Sequence, residues 1–298
     1  MKKVIVTGAN GFIGSSLIKK LTENNTEVIA VDISFADLHI PENSLVRRIE
    51  TGLDNTENLL NLIHNDTYDA FYHFAWQGVN GQDKVNPNIQ IKNIDMVLNC
   101  AKLAKEINCK RFLCAGTIAE QSVNSLHNLK KVSGSMLYGT AKHSARLLLE
   151  TYCKSAGLDF VWMQFSNIYG PDNKTGNLVS YTLGQLNNNN IASFGPANQP
   201  YDFIFVDDLL EAVYRLGCVK NPNNFYYIGS GEPRILKEYL YEIGEVCNKK
   251  ELIKIGERED DGIKYTFDMF DISSLKEKIG NYKEQNFSER IKYTAENY

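Results

Sequence analysis

Nothing in this chain restricts its folding more than the stretch from Val4 to Leu21. Val4-Ile5-Val6 is a β-branched run of the kind that forms a buried strand. It leads into Thr7-Gly8-Ala9-Asn10-Gly11-Phe12-Ile13-Gly14, and Ser15 to Leu21 then carries apolar residues at helical spacing. The order is strand, glycine-rich turn, helix. Glycine in such a turn lets the backbone reverse tightly and leaves no Cβ between it and a ligand. The helix beyond the turn presents free N–H groups and the positive end of its dipole, which suits a pyrophosphate. The glycines are spaced three and three, G-x-x-G-x-x-G, unlike the two-then-three spacing of the commoner dinucleotide fingerprint.

A second strand, Glu27 to Val31, ends at Asp32. An acid about twenty residues past such glycines is placed to meet the hydroxyls of an adenosine ribose. Ile33, Ser34, Phe35 and Ala36 follow with no Arg or Lys among them. Asp32 would repel a 2′-phosphate, and no local cation would hold one, so NAD(H) is expected in preference to NADP(H). The expected cofactor-binding residues here are Gly8, Asn10, Gly11, Phe12, Ile13, Gly14, Asp32 and Ile33.

Strand and helix patterns then alternate. Strands are expected over 44–49, 69–75, 110–115 and 160–165, and helices over 57–64, 86–107 and 137–155. Alternation on this scale implies an α/β chain: a doubly wound parallel (Rossmann) sheet with right-handed crossovers covering both faces. The end of the strand over 69–75 should lie beside the cofactor, which adds Phe74, Ala75 and Trp76 to its expected neighbours. After Gly170-Pro171 the rhythm changes. A helix is expected over 178–186, a polar asparagine turn over 187–190, a helix over 209–216 and a strand over 225–228. Charged amphipathic helices follow from Pro233, and the last, over 284–298, reads as polar. The expected division is a cofactor domain over 1–170, completed by about 201–229. A small α+β substrate domain would comprise 171–200 and 230–298.

The remaining composition excludes several classes. A length of 298 residues allows one large or two modest domains. The net charge of −4, with no basic cluster, argues against a nucleic-acid surface. No apolar run approaches the ~18 residues of a membrane span. The apolar run after Met1-Lys2-Lys3 breaks at Gly8-Ala9-Asn10, too early for a signal peptide, so a cytoplasmic protein is expected. The six cysteines are scattered without a C-x-x-C pair, which suits reduced thiols, and the histidines show no metal-ligand spacing.

The chemistry is expected at Tyr138-Gly139-Thr140-Ala141-Lys142. Tyr and Lys four apart share one helix face. A free tyrosine ionises near pH ~10, and an ammonium one turn away favours the phenolate. The same ammonium can hydrogen-bond a nicotinamide ribose. The pair therefore makes a general acid/base beside a hydride carrier. Thr117, at the end of the strand over 110–115, can hydrogen-bond the substrate oxygen that Tyr138 protonates.

Thr7 to Gly14, Asp32, His73-Phe74-Ala75, Thr117 and Tyr138-x-x-x-Lys142 together resemble the extended short-chain dehydrogenase/reductase superfamily, and within it the nucleotide-sugar epimerase/dehydratase branch. Ser166-Asn167-Ile168-Tyr169-Gly170-Pro171, Phe203 to Asp208 and Ile228 to Glu232 are similar to later segments of that branch. The resemblance implies Thr117, Tyr138 and Lys142 as the catalytic set. It implies Asn167, Asn177 and Arg258 against the substrate, Phe165 against the nicotinamide and Leu53 near the adenine. It also implies a homodimer formed through the two long helices. Dehydratases of the branch carry Asp-Glu directly after the Ser/Thr. Ile118-Ala119 stand there, so 4,6-dehydration is not expected. Gln121-Ser122, Gln164 and Tyr201 are further departures, the last two at positions where the branch often has arginine. The implied reactions are 4-epimerisation of a nucleoside-diphosphate hexose or 4-ketoreduction of a 4-keto-6-deoxy sugar. A non-catalytic NAD-sensing member of the superfamily is the alternative of a different class.

Overall fold

The computed structural model describes residues 1–40, 42–63, 66–79, 81–128, 132, 134, 136–173, 176–260 and 262–298. His64, the last residue of one expected helix, lies outside them. The chain forms two compact units. Met1–Glu120, Gly134–Gln164 and Leu210–Tyr226 make the first; Gln121–Ser133, Phe165–Leu209 and Tyr227–Tyr298 make the second.

The opening strand β1 (Lys3–Thr7) is followed by helix α1 (Phe12–Glu23), β2 (Glu27–Asp32), β3 (Val46–Glu50) and α2 (Glu57–Ile63). Then come β4 (Ala70–His73), α3 (Pro87–Glu106), β5 (Arg111–Thr117), α4 (Met136–Ala156) and β6 (Asp159–Phe165). With the strand Phe225–Ile228 at one edge, these strands form a seven-stranded sheet in the order Phe225–Ile228, β6, β5, β4, β1, β2, β3. β1 lies parallel to both β2 and β4, with Val4 opposite Val28 and Ala70. The doubly wound sheet expected from the alternation is present. Its inner strands are largely apolar because helices cover both faces, whereas the edge strand β3 carries Arg47, Arg48 and Glu50 and buries only Ile49. Ile5, Ile29, Phe71, Phe112 and Trp162 are buried against Val97, Cys100 and Ala104 of α3 and Ala145, Leu149 and Cys153 of α4.

Local signals set several boundaries. Asn86 caps α3 by accepting from Asn88 N at 3.0 Å, and Pro87 occupies the first turn, where its missing N–H costs nothing. Arg111 opens β5 and donates to the carbonyls of Leu216, Gly217 and Val219, where the helix Val206–Cys218 ends. A cation at a helix carboxyl end is favourable.

Several elements depart from expectation. The helix expected from Leu209 begins at Val206, because Asp207 and Asp208 suit a first turn. Residues Ile118–Asn128 form a 3-10 helix that no periodicity announced. The second unit contains strand pairs too short for an alternating pattern: Phe203–Phe205 with Asn167–Tyr169, Ile253–Ile255 with Ala192–Phe194, and Arg234–Ile235 with Pro200–Tyr201. The polar last helix is present as Phe287–Glu296 and buries one face, Phe287, Arg290, Ile291 and Thr294. Its Phe287 ring lies 4.7 Å from that of Tyr239, and its Arg290 pairs with Asp208 at 3.2 Å. No helix among the described residues is long and apolar enough to cross a membrane.

Candidate active site

In the first unit, the turn after β1 is as tight as its glycines suggest. Gly8 has φ +66°, and a Cβ there would lie 2.7 Å from the Ala75 backbone nitrogen. A Cβ on Gly14 would lie 2.1 Å from the Gly8 carbonyl oxygen. Gly11 stands at the cap position of α1 and brings no side chain to its first N–H groups. Asp32 accepts from Asn10 N at 2.8 Å and from Ile33 N at 2.8 Å, which fixes its carboxylate at the end of β2. The Asn10 amide donates to the carbonyls of Ser34 and Asp37 and ties the loop after β2 to the turn. Phe12 and Ile13 open α1, Ile33 is largely exposed, and Leu53 is in the core. These residues fit a dinucleotide: an uncapped helix start for the pyrophosphate, and an anchored carboxylate at the end of the adjacent strand.

Beyond β4, Phe74, Ala75 and Trp76 are half-buried. The loop carrying them is held by two buried amides of α3. Trp76 Nε1 donates to Gln90 at 2.9 Å, and Gln77 and Asn93 exchange two bonds of 2.8 Å. The Trp76 and Tyr138 rings meet edge to face at 6.3 Å.

Thr117 ends β5, and Tyr138 and Lys142 lie one turn apart in α4. The Thr117 and Tyr138 side chains are hydrogen-bonded to each other. Lys142 is buried and donates to the Ala115 carbonyl at 2.8 Å, with its ammonium 3.8 Å from the centre of the Trp76 ring. The electrostatics differ from the simple expectation. Lys142 does not hold the Tyr138 phenol down. Desolvation raises the phenol's pKa, the Glu120 charge raises it further, and only the Thr117 bond acts in the other direction. Burial lowers Lys142 itself to about 8. The reason is positional: the ammonium is drawn to the Ala115 carbonyl and the Trp76 face.

Sequence reading missed Glu120. It is 1% exposed. Its carboxylate accepts from Thr117 N at 2.7 Å, from Trp162 Nε1 at 3.1 Å and from Gln164 Nε2 at 3.3 Å. Thr117 Oγ1 in turn accepts from Ala119 N at 3.3 Å. The Glu120 bond is one half of a capping box, with the Thr117 hydroxyl meeting the N–H of Ala119 in place of that of Glu120, and the signature Thr117-Ile118-Ala119-Glu120 was legible in the sequence.

The other expected site residues belong to the second unit. Phe165, the first residue of its second segment, is buried. Asn167 accepts from the Tyr201 hydroxyl at 2.9 Å and donates to the Asp202 carbonyl at 3.1 Å. Asn177 caps the helix Leu178–Asn187, accepting from Ser180 N at 2.9 Å, and donates to the Ile168 carbonyl at 3.0 Å. Arg258 bonds the Tyr181 hydroxyl at 2.6 Å and lies 5.0 Å from the centre of its ring. Among the described residues, no group of His, Cys, Asp and Glu is arranged to hold a metal ion.

A family model described as the NAD dependent epimerase/dehydratase family matches residues 4–229. Over 286 residues the chain is 26% identical to protein CapI of Staphylococcus aureus, covering 83% of this chain and 84% of that protein. It is 27% identical to UDP-glucuronic acid decarboxylase 3 of Arabidopsis thaliana over 300 aligned residues, covering 93% and 83%. Its fold matches that of a UDP-glucose 4-epimerase from Thermotoga maritima, solved with UDP-glucose. The TM-score is 0.81 at 23% identity, over 99% of this chain and 98% of that one. The glycine turn, the anchored Asp32 and the Thr117–Tyr138–Lys142 group all fall within the matched span, and the chain belongs to the NAD dependent epimerase/dehydratase family of extended short-chain dehydrogenase/reductase enzymes.

Proposed function

We propose that this enzyme is a 4-epimerase of a nucleoside-diphosphate hexose. The observation that carries the reading is the Thr117–Tyr138 hydroxyl pair, one helical turn from a buried Lys142. NAD supplies the chemistry of hydride acceptance and return when bound. Tyr138 would take the proton of the C4 hydroxyl as that carbon is oxidised to the ketone and give it back as the carbon is reduced. Thr117 would hold the C4 oxygen in line with the phenol. Lys142 would keep positive charge beside the site and reach the nicotinamide ribose hydroxyls.

For the cofactor, the reading uses Gly8, Asn10, Gly11, Phe12, Ile13, Gly14, Asp32, Ile33, Leu53, Phe74, Ala75, Trp76 and Phe165. For the sugar nucleotide it uses Arg258, whose guanidinium suits a diphosphate. Asn167 and Asn177 would join it, each through the second N–H that its amide keeps beyond the bond described above. The first unit would carry the cofactor and the second the substrate. Two copies of the chain would pair through α3 and α4, which pack on each other and expose Ile91, Leu147 and Leu148.

The test is a panel of UDP-, GDP-, CDP- and dTDP-sugars, followed by product NMR and by absorbance of the reduced cofactor. A 4-epimer formed without net NADH consumption supports the reading. Stoichiometric consumption of NADH with a 4-keto sugar overturns it in favour of a ketoreductase.

A further inference from the structure

Glu120 is a carboxylate buried at the end of β5, and neither the family resemblance nor the proposed chemistry gives it a task. Three observations bear on what it does. It accepts from the backbone N–H of Thr117, the residue whose hydroxyl meets Tyr138. Its other bonds come from Trp162 and Gln164 of β6, both buried. Among the described residues its nearest cation is Arg146, at 4.0 Å, too long for a close ion pair. Its charge is therefore only partly neutralised, and it acts on the two ionisable residues of α4 that the proposed reaction uses.

We propose that Glu120 is a positioning residue of this site: its carboxylate fixes the Thr117 peptide and supplies the buried negative charge that Lys142 and Tyr138 feel. The catalytic part of this inference rests on the 4-epimerase reading; the electrostatic part does not. The groups facing the cluster are Cys114 of β5, His73 of β4, Trp76 after β4, Tyr138, Lys142 and Arg146 of α4, and Trp162 and Gln164 of β6. Lys84 lies 5.2 Å from the centre of the Tyr138 ring. Burial raises the Glu120 carboxyl to about 7, against the pull of the Thr117 bond, Arg146, Lys142 and Trp162. Burial lowers Lys142 to about 8; Cys114, a thiol that burial itself keeps protonated, and the Glu120 charge oppose that fall. Glu120 and Lys142 each act on the other's charge, and groups that interact in this way titrate as a pair. Near neutral pH, proton uptake by Glu120 removes the charge that opposes phenolate formation at Tyr138 and the charge that keeps Lys142 protonated.

The experiment follows Lys142 by 13C NMR of lysine-labelled enzyme, with Lys142→Arg identifying its resonance. In the unaltered enzyme the Lys142 signal is expected to show two inflections, one of them from Glu120. A single-step titration overturns the proposal, and this measurement needs no variant to fold. Glu120→Gln keeps an acceptor for Thr117 N and removes the charge. The Lys142 midpoint is expected to fall by about one pH unit. An unmoved midpoint in folded, NAD-binding Glu120→Gln protein also overturns the proposal. If the midpoint moves but the unaltered enzyme turns over no sugar nucleotide, the 4-epimerase reading fails and the charge assignment stands.

Discussion

Tyr138 and Lys142 share a helix face, yet their charges are governed by what surrounds each of them. The phenol has lost water, lies near Glu120 and keeps one favourable bond, from Thr117. General acid/base groups contribute about 10²–10⁴-fold, so Tyr138→Phe is expected to lower kcat by that much while NAD affinity is kept. An unchanged rate in steady-state assays would remove Tyr138 from the chemistry. His73 gives a second residue-scale prediction. Its Nδ1 lies 2.8 Å from the Thr7 hydroxyl, and its Nε2 is buried without a partner among the described residues. Burial first, and the Lys142 charge second, lower its pKa from 6.5 to about 3. The unfolded chain takes up a proton over that range and the folded one does not. The stability His73 contributes is therefore present above about 6.5 and lost as pH falls toward 3. Urea unfolding of His73→Asn should show a shallower loss of stability between neutral and acidic pH than the unaltered protein; equal slopes would refute the assignment. The Tyr–Lys spacing was legible in the sequence because helical geometry is local. The direction of the pKa shifts was not, because it depends on Glu120 and on burial.

Among the elements, the turn from β1 to α1 has the least latitude. Gly14→Ala would put a methyl 2.1 Å from the Gly8 oxygen, and the colliding atom is backbone, which cannot rotate away. Overpacking of this kind costs about 1–3 kcal/mol and would displace the start of α1. A lower thermal midpoint and weaker NAD binding are expected together, read by calorimetry and by fluorescence titration. If NAD binding is retained at full strength, the turn is not the cofactor's seat. The strands and long helices of the sheet were readable because each repeats one pattern over several residues. The 3-10 helix Ile118–Asn128 and the two- and three-residue strands of the second unit repeat nothing long enough to count. The polar last helix was legible in its composition, but the partners of its buried face were not. Its few buried residues find Tyr239 and Asp208, far away in sequence.

For the whole molecule, the order of strands and helices sufficed to read the doubly wound sheet, since crossover handedness leaves few alternatives. Assembly is a separate matter. Ile91 on α3 and Leu147 and Leu148 on α4 are exposed at 63%, 48% and 48%. If these helices join two copies, Leu148→Glu should give a monomer by light scattering while the fold persists by circular dichroism. A mass unchanged by that substitution would place any interface elsewhere. The positions of the indoles have a practical result. The chain has two tryptophans. One stacks under the Lys142 ammonium, and the other shares its N–H with the Glu120 carboxylate. Excited at the red edge of the absorption, where its sixteen tyrosines stay dark, the native polypeptide therefore emits from beside the reacting groups. Trp162→Phe would leave Trp76 as a single intrinsic lamp, and a fluorimeter could then follow cofactor docking and proton movement there with no dye attached.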